Sequence, residues 1–585
     1  MFLRTSIAFP LVLVASSALA SPSSASSGGA NGQTQRVNLT EFGAQAFNAA
    51  YEPSISRDGS RIAFHTQAAL VANDTNGNTD VYVFDRTSNV VTLVSTSTSG
   101  TLGNGSSVEA ALSGDGQWVA FTTYATNLYG FDTNGLPDVM LKNLSTGSLT
   151  RVSALVGSIV SASGESRRPA LSFDGRFVAF DTTGDIYSAE DTNDDWDVYL
   201  RDMQQGTIQL VSRGVFGGAG SSGSVRASVS DDGRYVCFHS ASTNFSFNDL
   251  NGSTDVFVRD TLLGVSELVS RVPGGAQGND DSWQSSMSAD GRRVAFATYA
   301  TNFVFGDANG SADVYVVDRV ANTLRLMSGA PAGGFTSAGG SEARISADGS
   351  TVVFTSAAPE ITSDASAFLS TYVRNIDRAV TRLASRPTGP DGQPNGPSRY
   401  PTVNGDGSVV AFDSTATNLV VGDVNLSKDI FARVLYADPV VYCTSSVTSA
   451  GCEPRLSSSG LPRAGHDSGF VVSCTDAPNN KFGLLFYGLG GRLDTPFLAG
   501  TFCVQVPVVR TAPAFSAGNP ASVSDCSGSF QIDMNAFAEG LLGVAPLVEL
   551  GQIGTRVNVQ YWGRDPQGPI ATTFLSNALE YVVGP

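Results

Sequence analysis

The sequence predicts an all-β protein: a seven-bladed β-propeller closed by an N-terminal strand, followed by a small β-sandwich-like domain. Three observations predict this fold. The 585 residues include 63 glycines and only 15% charged residues, a composition typical of turn-rich β proteins. An Asp-Gly turn recurs seven times with a period of about 58 residues, which indicates copies of one unit. Five of the six cysteines follow residue 440, where this period has ended.

Each repeat contains two strands joined by an Asp-Gly turn. Isoleucine or valine stands four residues after the turn aspartate, and phenylalanine stands two residues later, as in Val294 and Phe296 of repeat 5. Residues two apart share one face of a strand, and Asp-Gly favours a hairpin, so this pattern predicts two tightly joined strands. The turn aspartates are Asp58, Asp115, Asp174, Asp232, Asp290, Asp348 and Asp406.

A third and a fourth strand complete each repeat, for example at 81–84 and 91–94 in repeat 1. Four short antiparallel strands are typical of a propeller blade. Only six copies of the fourth strand follow the first six repeats, and the seventh copy stands at 34–39, ahead of the first turn. We expect this N-terminal segment to become the outer strand of repeat 7, because such closure removes exposed sheet edges. An open solenoid is the alternative, and it would leave the segment without a role.

The repeats resemble the WD-like propeller repeats of the TolB type, which occur in exported bacterial proteins. The resemblance rests on stretches such as 53–64, with the sequence PSISRDGSRIAF, and covers residues 34–436. It implies the fold and not the function, because propellers host binding, scaffolding and catalysis alike. The N-terminal domain of TolB has no counterpart here, so an envelope role does not follow from the resemblance.

The N-terminus is predicted to be a secretory signal peptide at 1–20. Arg4 supplies the positive start, residues 7–15 the apolar run, and Ala18-Leu19-Ala20 the small-residue cleavage site. The apolar run is shorter than the ~20 residues that a membrane span needs, so we do not expect a membrane-spanning protein. Residues 21–33 are rich in Ser, Gly and Ala and form a flexible linker. We therefore expect export to the periplasm, the cell surface or the medium.

The net charge argues against nucleic acid as a partner. The chain has 35 Lys and Arg against 53 Asp and Glu, which gives a net charge of −18. Phosphate backbones are repelled by such a surface. Acidity favours solubility and cation binding, although it selects no particular cation.

An acidic loop with the pattern Asp-x-Asn-Gly-x-x-Asp lies between the second and third strands. Repeat 6 has lost the pattern, and repeats 3 and 7 replace its glycine by Asp194 and Leu426. Carboxylate and amide oxygens in a tight loop suit calcium. The alternative is an Asx-type turn, in which side-chain oxygens hold loop N–H groups. The candidate ligands are Asp74, Asn76, Asp80, Asp132, Asn134, Asp138, Asp191, Asn193, Asp197, Asp249, Asn251, Asp255, Asp307, Asn309, Asp313, Asp423, Asn425 and Asp429.

A second candidate site lies where the first strands begin. One residue of each repeat stands four positions before the Ser or Asn of the Asp-Gly turn, and we expect these residues to surround the mouth of a central channel. With the neighbouring Tyr51, Trp283 and Arg399, they form the predicted ligand or partner site. The alternative is a solvated or mutually paired ring of Glu and Arg. The seven residues are Glu52, Glu109, Arg168, Arg226, Gln284, Glu342 and Tyr400.

Catalytic motifs are not evident in the sequence. His65 and His239 fall at the same repeat position, and His466 stands beside Asp467 without a motif. The sequence lacks a Gly-x-Ser-x-Gly elbow, a His-Glu-x-x-His pair and a Cys-x-x-Cys pair. Cys237 replaces the alanine of other repeats in a core strand and is interpreted as a small buried residue.

The tail, 440–585, is predicted to form a β-sandwich-like domain, because short alternating strands continue without the period. By proximity, Cys443 is expected to pair with Cys452 and Cys503 with Cys526, which leaves Cys474 over. The stretches at 483–488, 525–528 and 560–566 resemble a C-terminal module of exported proteins from planctomycetes and myxobacteria, which strengthens the prediction of export.

The sequence therefore favours an exported, non-catalytic binding or scaffold propeller that recognises a protein or glycan on its loop-rich face, with calcium as a structural ion. The alternative is an extracellular carbohydrate-active enzyme, a lyase or hydrolase, that uses carboxylates at the channel mouth. No organic cofactor is expected.

Overall fold

The computed structural model of the chain describes residues 32–583 with internal gaps. The predicted signal peptide and the linker up to residue 31 lie outside the described residues, as do Asp364 and His466. The gaps fall at 131, 159, 161–162, 185–186, 188, 248, 332, 363–364, 378, 389–391, 436–438, 461, 463–468, 498–499, 521–524, 544, 553–554 and 567–571.

Seven antiparallel sheets of four strands each follow the seven sequence repeats. The first strands are Ala50–Ile55, Ser107–Leu112, Ser166–Leu171, Ser224–Val229, Ser282–Met287, Ser341–Ile345 and Ser398–Val403. The second strands are Arg61–Thr66, Trp118–Thr123, Phe177–Thr182, Tyr235–Ser240, Arg293–Thr298, Thr351–Ser356 and Val409–Ser414. The third strands are Asp80–Asp85, Asp138–Asn143, Asp197–Asp202, Asp255–Asp260, Asp313–Asp318, Ser370–Asn375 and Asp429–Val434. The outer strands are Val90–Leu93, Leu149–Arg151, Thr207–Leu210, Val265–Leu268, Thr323–Leu326, Val380–Leu383 and, for repeat 7, Thr34–Arg36.

The sheets contact one another through their first strands. Each first strand contacts the first strand of the next repeat, and the first strand of repeat 7 contacts that of repeat 1. The N-terminal strand Thr34–Arg36 pairs antiparallel with Asp429–Val434, so that Gln35 lies opposite Ala432. The chain is thus all-β, and its four-stranded sheets are arranged as in a β-propeller.

The hydrophobic core of this region lies between consecutive sheets. Phe121 of repeat 2, for example, is completely buried and packs with Val81 and Val83 of repeat 1. In every sheet except that of repeat 2, which has Met140, the second-strand phenylalanine lies against a third-strand aromatic ring, as Phe64 does against Tyr82 at 6.1 Å between centroids. Complete burial of one such ring contributes roughly 1.5–3 kcal/mol. The repeated phenylalanine therefore holds neighbouring sheets together.

The described residues of the tail form three further sheets. The first has six strands, Val440–Tyr442, Thr573–Val582, Arg556–Arg564, Phe482–Gly488, Val508–Arg510 and Ala514–Phe515. The second has three strands, Arg455–Gly460, Phe470–Ala477 and Gly528–Asp533. The third is the pair Arg492–Phe497 and Gly500–Val504. A short α-helix spans Met534–Ala538, and a 3-10 helix spans Val548–Gly551. The six-stranded and three-stranded sheets share one core, in which Phe470 packs against Tyr581 and Phe530 against Tyr561.

The disulfide pairing expected from proximity in sequence is wrong. Cys443 pairs with Cys503 and Cys452 with Cys526, at Cα–Cα distances of 6.4 and 5.4 Å. Cys443 directly follows the strand Val440–Tyr442, and the hydroxyl of Tyr442 donates to the carbonyl of Cys503 at 2.8 Å. Strand packing therefore places Cys443 beside a cysteine that lies 60 residues away in the sequence.

The remaining two cysteines, Cys237 and Cys474, are free and buried. Cys237 packs in a core between sheets, which confirms its interpretation as a small buried residue. Burial raises the pKa of its thiol to about 12, so it stays protonated and unreactive at neutral pH. In the part of the chain that the structure describes, no helix is long and apolar enough to span a membrane.

Candidate functional site

A β-bulge interrupts the first strand of every repeat at the same position. In repeat 1 the pairing with the second strand shifts between Tyr51 and Ser54, and the same shift occurs in the other six sheets. One residue in each bulge has a φ between 48° and 58°, although none of the seven is glycine. Such left-handed residues are uncommon and strained for side chains of this size. These residues, named the bulge ring here, are Glu52, Glu109, Arg168, Arg226, Gln284, Glu342 and Tyr400.

The bulge ring lines a single cavity of about 320 Å³. All seven members were predicted from the sequence to lie together, and residues from all seven repeats line this cavity. Arg344, two positions beyond Glu342, lines it as well. The three neighbours predicted with them, Tyr51, Trp283 and Arg399, are not among the lining residues. Trp283 packs against Tyr299 with ring centroids 4.8 Å apart. Ligand binding by these residues stays a prediction.

Side chains of one sheet hold the backbone of the next sheet at the bulges. The acceptors are bulge-ring side chains themselves or an aspartate of the second strand. At four bulges, such a bond satisfies the N–H of the bulge-ring residue and ties consecutive sheets together. The bonds run from the N–H of Arg168 to Glu109 Oε2 (3.1 Å), of Arg226 to Asp181 Oδ2 (2.9 Å), of Glu342 to Gln284 Oε1 (2.7 Å) and of Tyr400 to Glu342 Oε2 (2.8 Å).

Part of the ring is mutually paired, as the alternative interpretation expected. Arg168 Nε lies 3.8 Å from Glu109 Oε1 of the preceding sheet, and Arg399 Nη1 lies 3.5 Å from Glu342 Oε1 of the preceding sheet. Within its own sheet, Arg168 Nη1 also lies 3.3 Å from Asp181 Oδ2. These contacts assign Glu342 and Arg168 a role in holding sheets together. In contrast, no salt bridge within the described residues involves Glu52 or Arg226, whose charges face the cavity.

Burial shifts the pKa values of the carboxylates around the cavity. Burial raises the pKa of Glu52, the nearby charge of Glu109 adds to this, and Arg226 opposes it. Burial also raises the pKa of Asp181 to about 7, although the Arg226 N–H and Arg168 stabilise its charged form. Asp181 therefore binds and releases a proton near neutral pH.

Two charged groups that contact bulge-ring residues, Asp413 and Lys428, were not predicted from the sequence. Asp413 is buried with a pKa raised to about 7, and Lys428 Nζ lies 3.4 Å from it. The sequence did contain a signal for Asp413, because Asp413 and Asp181 are titratable residues at the same repeat position as His65 and His239. Burial lowers the pKa of both histidines to about 4, so they are neutral at pH 7.

At the opposite end of the first strands, the Asp-Gly turns of consecutive sheets contact one another. Backbone bonds join consecutive sheets there, for example from the N–H of Arg57 to the carbonyl of Gly114 at 2.9 Å and from the N–H of Ala289 to that of Ala347 at 2.9 Å. Arg57 also donates to both oxygens of Asp231 at 2.6 Å, which joins repeat 1 to repeat 4. These bonds and the Arg57–Asp231 pair tie the sheets together at the turn end of the first strands.

The asparagines of the acidic loops form Asx turns. Each side-chain Oδ1 accepts the backbone N–H two residues on, as Asn251 does from Ser253 at 2.9 Å. Each Nδ2 donates to a backbone carbonyl in the segment that connects this sheet to the next. The asparagine therefore joins its own loop to that connecting segment. These donations go from Asn76 to Gly103 (3.1 Å), Asn134 to Gly164 (3.4 Å), Asn193 to Gly220 (2.9 Å), Asn251 to Gly278 (2.7 Å), Asn309 to Thr336 (2.9 Å) and Asn425 to Ala46 (2.7 Å).

The last aspartate of each acidic loop accepts a hydrogen bond on Oδ1. Within the described residues, no group of three or more His, Cys, Asp or Glu side chains is arranged to hold a metal. The geometry therefore favours the Asx turn for the loops in general, and calcium binding stays a prediction. The donors are Ser95 to Asp80 (2.6 Å), Ser153 to Asp138 (2.6 Å), Ser212 to Asp197 (2.5 Å), Ser270 to Asp255 (2.5 Å), Ser328 to Asp313 (2.5 Å) and Asn38 to Asp429 (2.6 Å).

Comparison with known proteins gives matches only among solved structures. No protein-family model and no curated protein matches the chain. A TolB from Agrobacterium tumefaciens is similar at 16% identity and a TM-score of 0.31, covering 48% of this chain and 80% of that one. An oligogalacturonate lyase from Vibrio parahaemolyticus is similar at 13% identity and a TM-score of 0.41, covering 69% and 98%. TolB from Acinetobacter baumannii is similar at 12% identity and a TM-score of 0.32, covering 66% and 78%. TM-scores this low define neither a ligand nor an activity for this chain.

Proposed function

We propose that this chain is an exported, non-catalytic binding protein, in which a seven-bladed propeller closed by its N-terminal strand takes a glycan or a protein segment into the bulge-ring cavity. The propeller comprises residues 34–436, and the tail at 440–585 forms a separate sandwich-like domain. The observation that carries the proposal is that seven non-glycine, left-handed residues point into one cavity.

The backbone strain supports a role at this position. A left-handed conformation costs about 1–2 kcal/mol for a residue with a side chain, and a regular strand would avoid it. Bulges redirect side chains and are frequent next to functional sites. Here the same bulge occurs once in each of the seven repeats, and the seven residues at these bulges line one cavity.

The side chains around the cavity suit a polar, hydroxyl-rich ligand. Arg226 supplies hydrogen-bond donors and Glu52 supplies acceptors, and both line the cavity. The partly exposed rings of Tyr51, Tyr124 and Tyr299 lie on strands or strand ends next to the bulges. Exposed aromatic rings beside polar groups provide flat apolar contacts for a sugar or a peptide. The two disulfides in the tail are compatible with export.

A second candidate function, a carbohydrate-active enzyme, is favoured by one observation. Glu52 and Glu109 both line the cavity, and burial, together with the nearby charge of Glu109, raises the pKa of Glu52. A pair of carboxylates in which one stays protonated is what glycoside hydrolysis requires. The two functions differ in whether a bound glycan is turned over.

Binding and turnover can be separated with one ligand panel. The purified chain is titrated with oligosaccharides and peptides by calorimetry, and the same mixtures are analysed for released products. We expect binding without turnover, at least tenfold weaker for Arg226→Ala and unchanged for Arg455→Ala, whose side chain is exposed on the tail. Product release that Glu52→Gln abolishes would establish the enzyme instead. Equal affinity of wild type and Arg226→Ala would remove the cavity as the binding site.

A further inference from the structure

The acidic loops differ in the groups that donate hydrogen bonds to their two aspartates or neutralise their charge. In repeats 1 and 3, a third-strand tyrosine donates its hydroxyl hydrogen to the first aspartate of the loop. Tyr82 donates to Asp74, and Tyr199 donates to Asp191 at 2.6 Å. A tyrosine at this position therefore satisfies a buried carboxylate from within its own sheet.

Repeats 2 and 7 use a buried arginine of the outer strand instead. Arg151 Nε lies 3.1 Å from the carboxylate of Asp138, and both side chains are at most 3% exposed. Arg36 lies 3.1 Å from Asp423 and 3.2 Å from Asp429. In these two repeats a protein cation neutralises the acidic loop.

The tyrosine of the third strand and the arginine of the outer strand occupy positions that lie opposite each other in the two paired strands. No repeat has both residues. A repeat with the tyrosine has leucine on the outer strand, and a repeat with the arginine has methionine or phenylalanine on the third strand. The opposed pairs are Tyr82 with Leu93, Met140 with Arg151, Tyr199 with Leu210, Tyr315 with Leu326 and Phe431 with Arg36.

Repeat 4 has neither device. Phe257 lies opposite Leu268, so the acidic loop receives no tyrosine hydroxyl and no guanidinium. Both aspartates of this loop have a buried oxygen without a hydrogen-bond partner, Asp249 Oδ2 and Asp255 Oδ2, and the two residues are only 4% and 0% exposed. Repeats 1 and 3 each have one such oxygen, Asp80 Oδ2 and Asp197 Oδ2. Burying two carboxylates without a compensating charge is strongly unfavourable.

The other oxygens of these two aspartates are already engaged. Gln277 Nε2 donates to Asp249 Oδ1 at 3.3 Å, and Ser270 Oγ donates to Asp255 Oδ1 at 2.5 Å. The carboxylate of Asp281, which accepts the N–H of Thr254, adds a further negative charge near Asp255. The neutral donors thus fix both carboxylates without neutralising them.

Repeat 5 is the informative comparison, because it retains Tyr315 beside its acidic loop. There the amide of Asn309 donates to Asp313 Oδ2 at 3.0 Å, and Ser328 donates to Oδ1, so both oxygens of the last aspartate are satisfied. Asp307 Oδ1, an acceptor in the loop, and the Tyr315 hydroxyl, a donor on the adjacent third strand, both lack a hydrogen-bond partner. Repeat 4 has no such donor.

We propose that the acidic loop of repeat 4 binds one hard divalent cation of the calcium class through Asp249 Oδ2 and Asp255 Oδ2. Carboxylate oxygens are the ligands that calcium prefers, and carbonyl oxygens and water complete its shell. The bound cation takes the place that a guanidinium takes in repeats 2 and 7. This site is independent of the ligand proposed for the bulge ring.

The number and position of the sites are testable with the full chain. The protein is freed of metal with EDTA, dialysed, and titrated with CaCl2 by calorimetry and by thermal unfolding. We expect one calcium ion per chain and a rise in Tm of about 2–4 °C at saturating calcium. The variant Asp249→Asn should lose both signals, and Asp74→Asn in repeat 1 should keep both.

Two further variants introduce into repeat 4 the arginine or the tyrosine that other repeats have beside the acidic loop. Leu268→Arg recreates the Phe431–Arg36 pair of repeat 7, and Phe257→Tyr recreates the Tyr82–Leu93 pair of repeat 1. Both should unfold at a higher Tm than the wild type in EDTA and should no longer respond to calcium. A calcium response retained in Leu268→Arg would overturn the proposal, as would a wild type that binds no calcium. Loss of Tm above pH 7 without a calcium response would show that a proton neutralises the pair instead.

Discussion

Arg151 and Asp138 form a buried ion pair, with the guanidinium Nε 3.1 Å from the carboxylate, at an acidic loop. The equivalent loop of repeat 7 has Arg36, repeats 1 and 3 have a tyrosine hydroxyl, and repeat 4 has neither group. The pair shows that these loops can accommodate a positive charge. It also explains why repeat 2 has methionine where repeats 1 and 3 have tyrosine, because the guanidinium fills the space beside the aspartate.

Removal of this arginine should therefore be costly. We expect Arg151→Leu to lower the free energy of unfolding by about 3–5 kcal/mol, because an uncompensated carboxylate is left in the core. Chemical denaturation measures the loss, with Arg455→Ala as the exposed control. Calcium should restore part of the lost stability if the vacated position accepts a cation. A loss below 1 kcal/mol would mean that Asp138 is neutral in the folded state.

The carboxylate of Asp181 should make stability depend on pH. Its pKa is about 7 in the folded chain and ordinary in the unfolded chain, so the folded state holds a proton that the unfolded state releases. The stabilisation by this group is complete below about pH 4 and is lost as the pH rises to 7. His65 and His239 act in the opposite direction, because their folded pKa of about 4 contributes stability at neutral pH that is lost in acid.

A comparison with Asp181→Asn isolates this effect from the histidines. Between pH 4 and pH 7 the wild type should lose a few kcal/mol of stability relative to the variant, which has no proton to release at this position. Denaturation curves at pH 4, 5.5 and 7 measure the difference. Parallel curves at all three values would show that Arg168 and the N–H of Arg226 keep Asp181 charged.

Much of the fold was predictable because the repeat preserves its physical determinants. The Asp-Gly turn and the phenylalanine six residues after it, as in Asp290 and Phe296, specify a hairpin and a buried strand wherever they occur. The grouping of the bulge-ring residues followed from their constant distance to the turn. The bulges themselves were not predictable, because the residue that adopts the positive φ is glutamate, arginine, glutamine or tyrosine, and none of these indicates a left-handed backbone.

The disulfides were mispredicted for a different reason. Distance along the chain favoured Cys443 with Cys452, whereas strand order brings Cys443 to Cys503. Pairing between β-strands is set by packing across the domain, and no local motif encodes it.

The observed disulfide pairing can be tested by single and double substitutions. Cys452→Ser and Cys526→Ser should each cost about 2–5 kcal/mol, because either change opens the same 74-residue loop. The double variant should be no less stable than either single variant. Peptide mapping under non-reducing conditions should recover Cys452 linked to Cys526. Additive losses, or a peptide that links Cys443 to Cys452, would contradict the pairing.

The strain at the bulges predicts an unusual preference for glycine. Gln284 has a φ of 52°, and its side-chain oxygen accepts the N–H of Glu342. Both Gln284→Gly and Gln284→Ala remove that acceptor, so the difference between the two variants reports the backbone alone. Glycine adopts a left-handed φ freely, and we expect Gln284→Gly to be more stable than Gln284→Ala by about 1 kcal/mol. In the middle of a regular strand, as at Ala295, the order should reverse, because glycine there loses more conformational entropy than alanine. Equal stability of the two variants at position 284 would show that the bulge relaxes when its side chain is removed, and that the side chain holds the left-handed conformation in place.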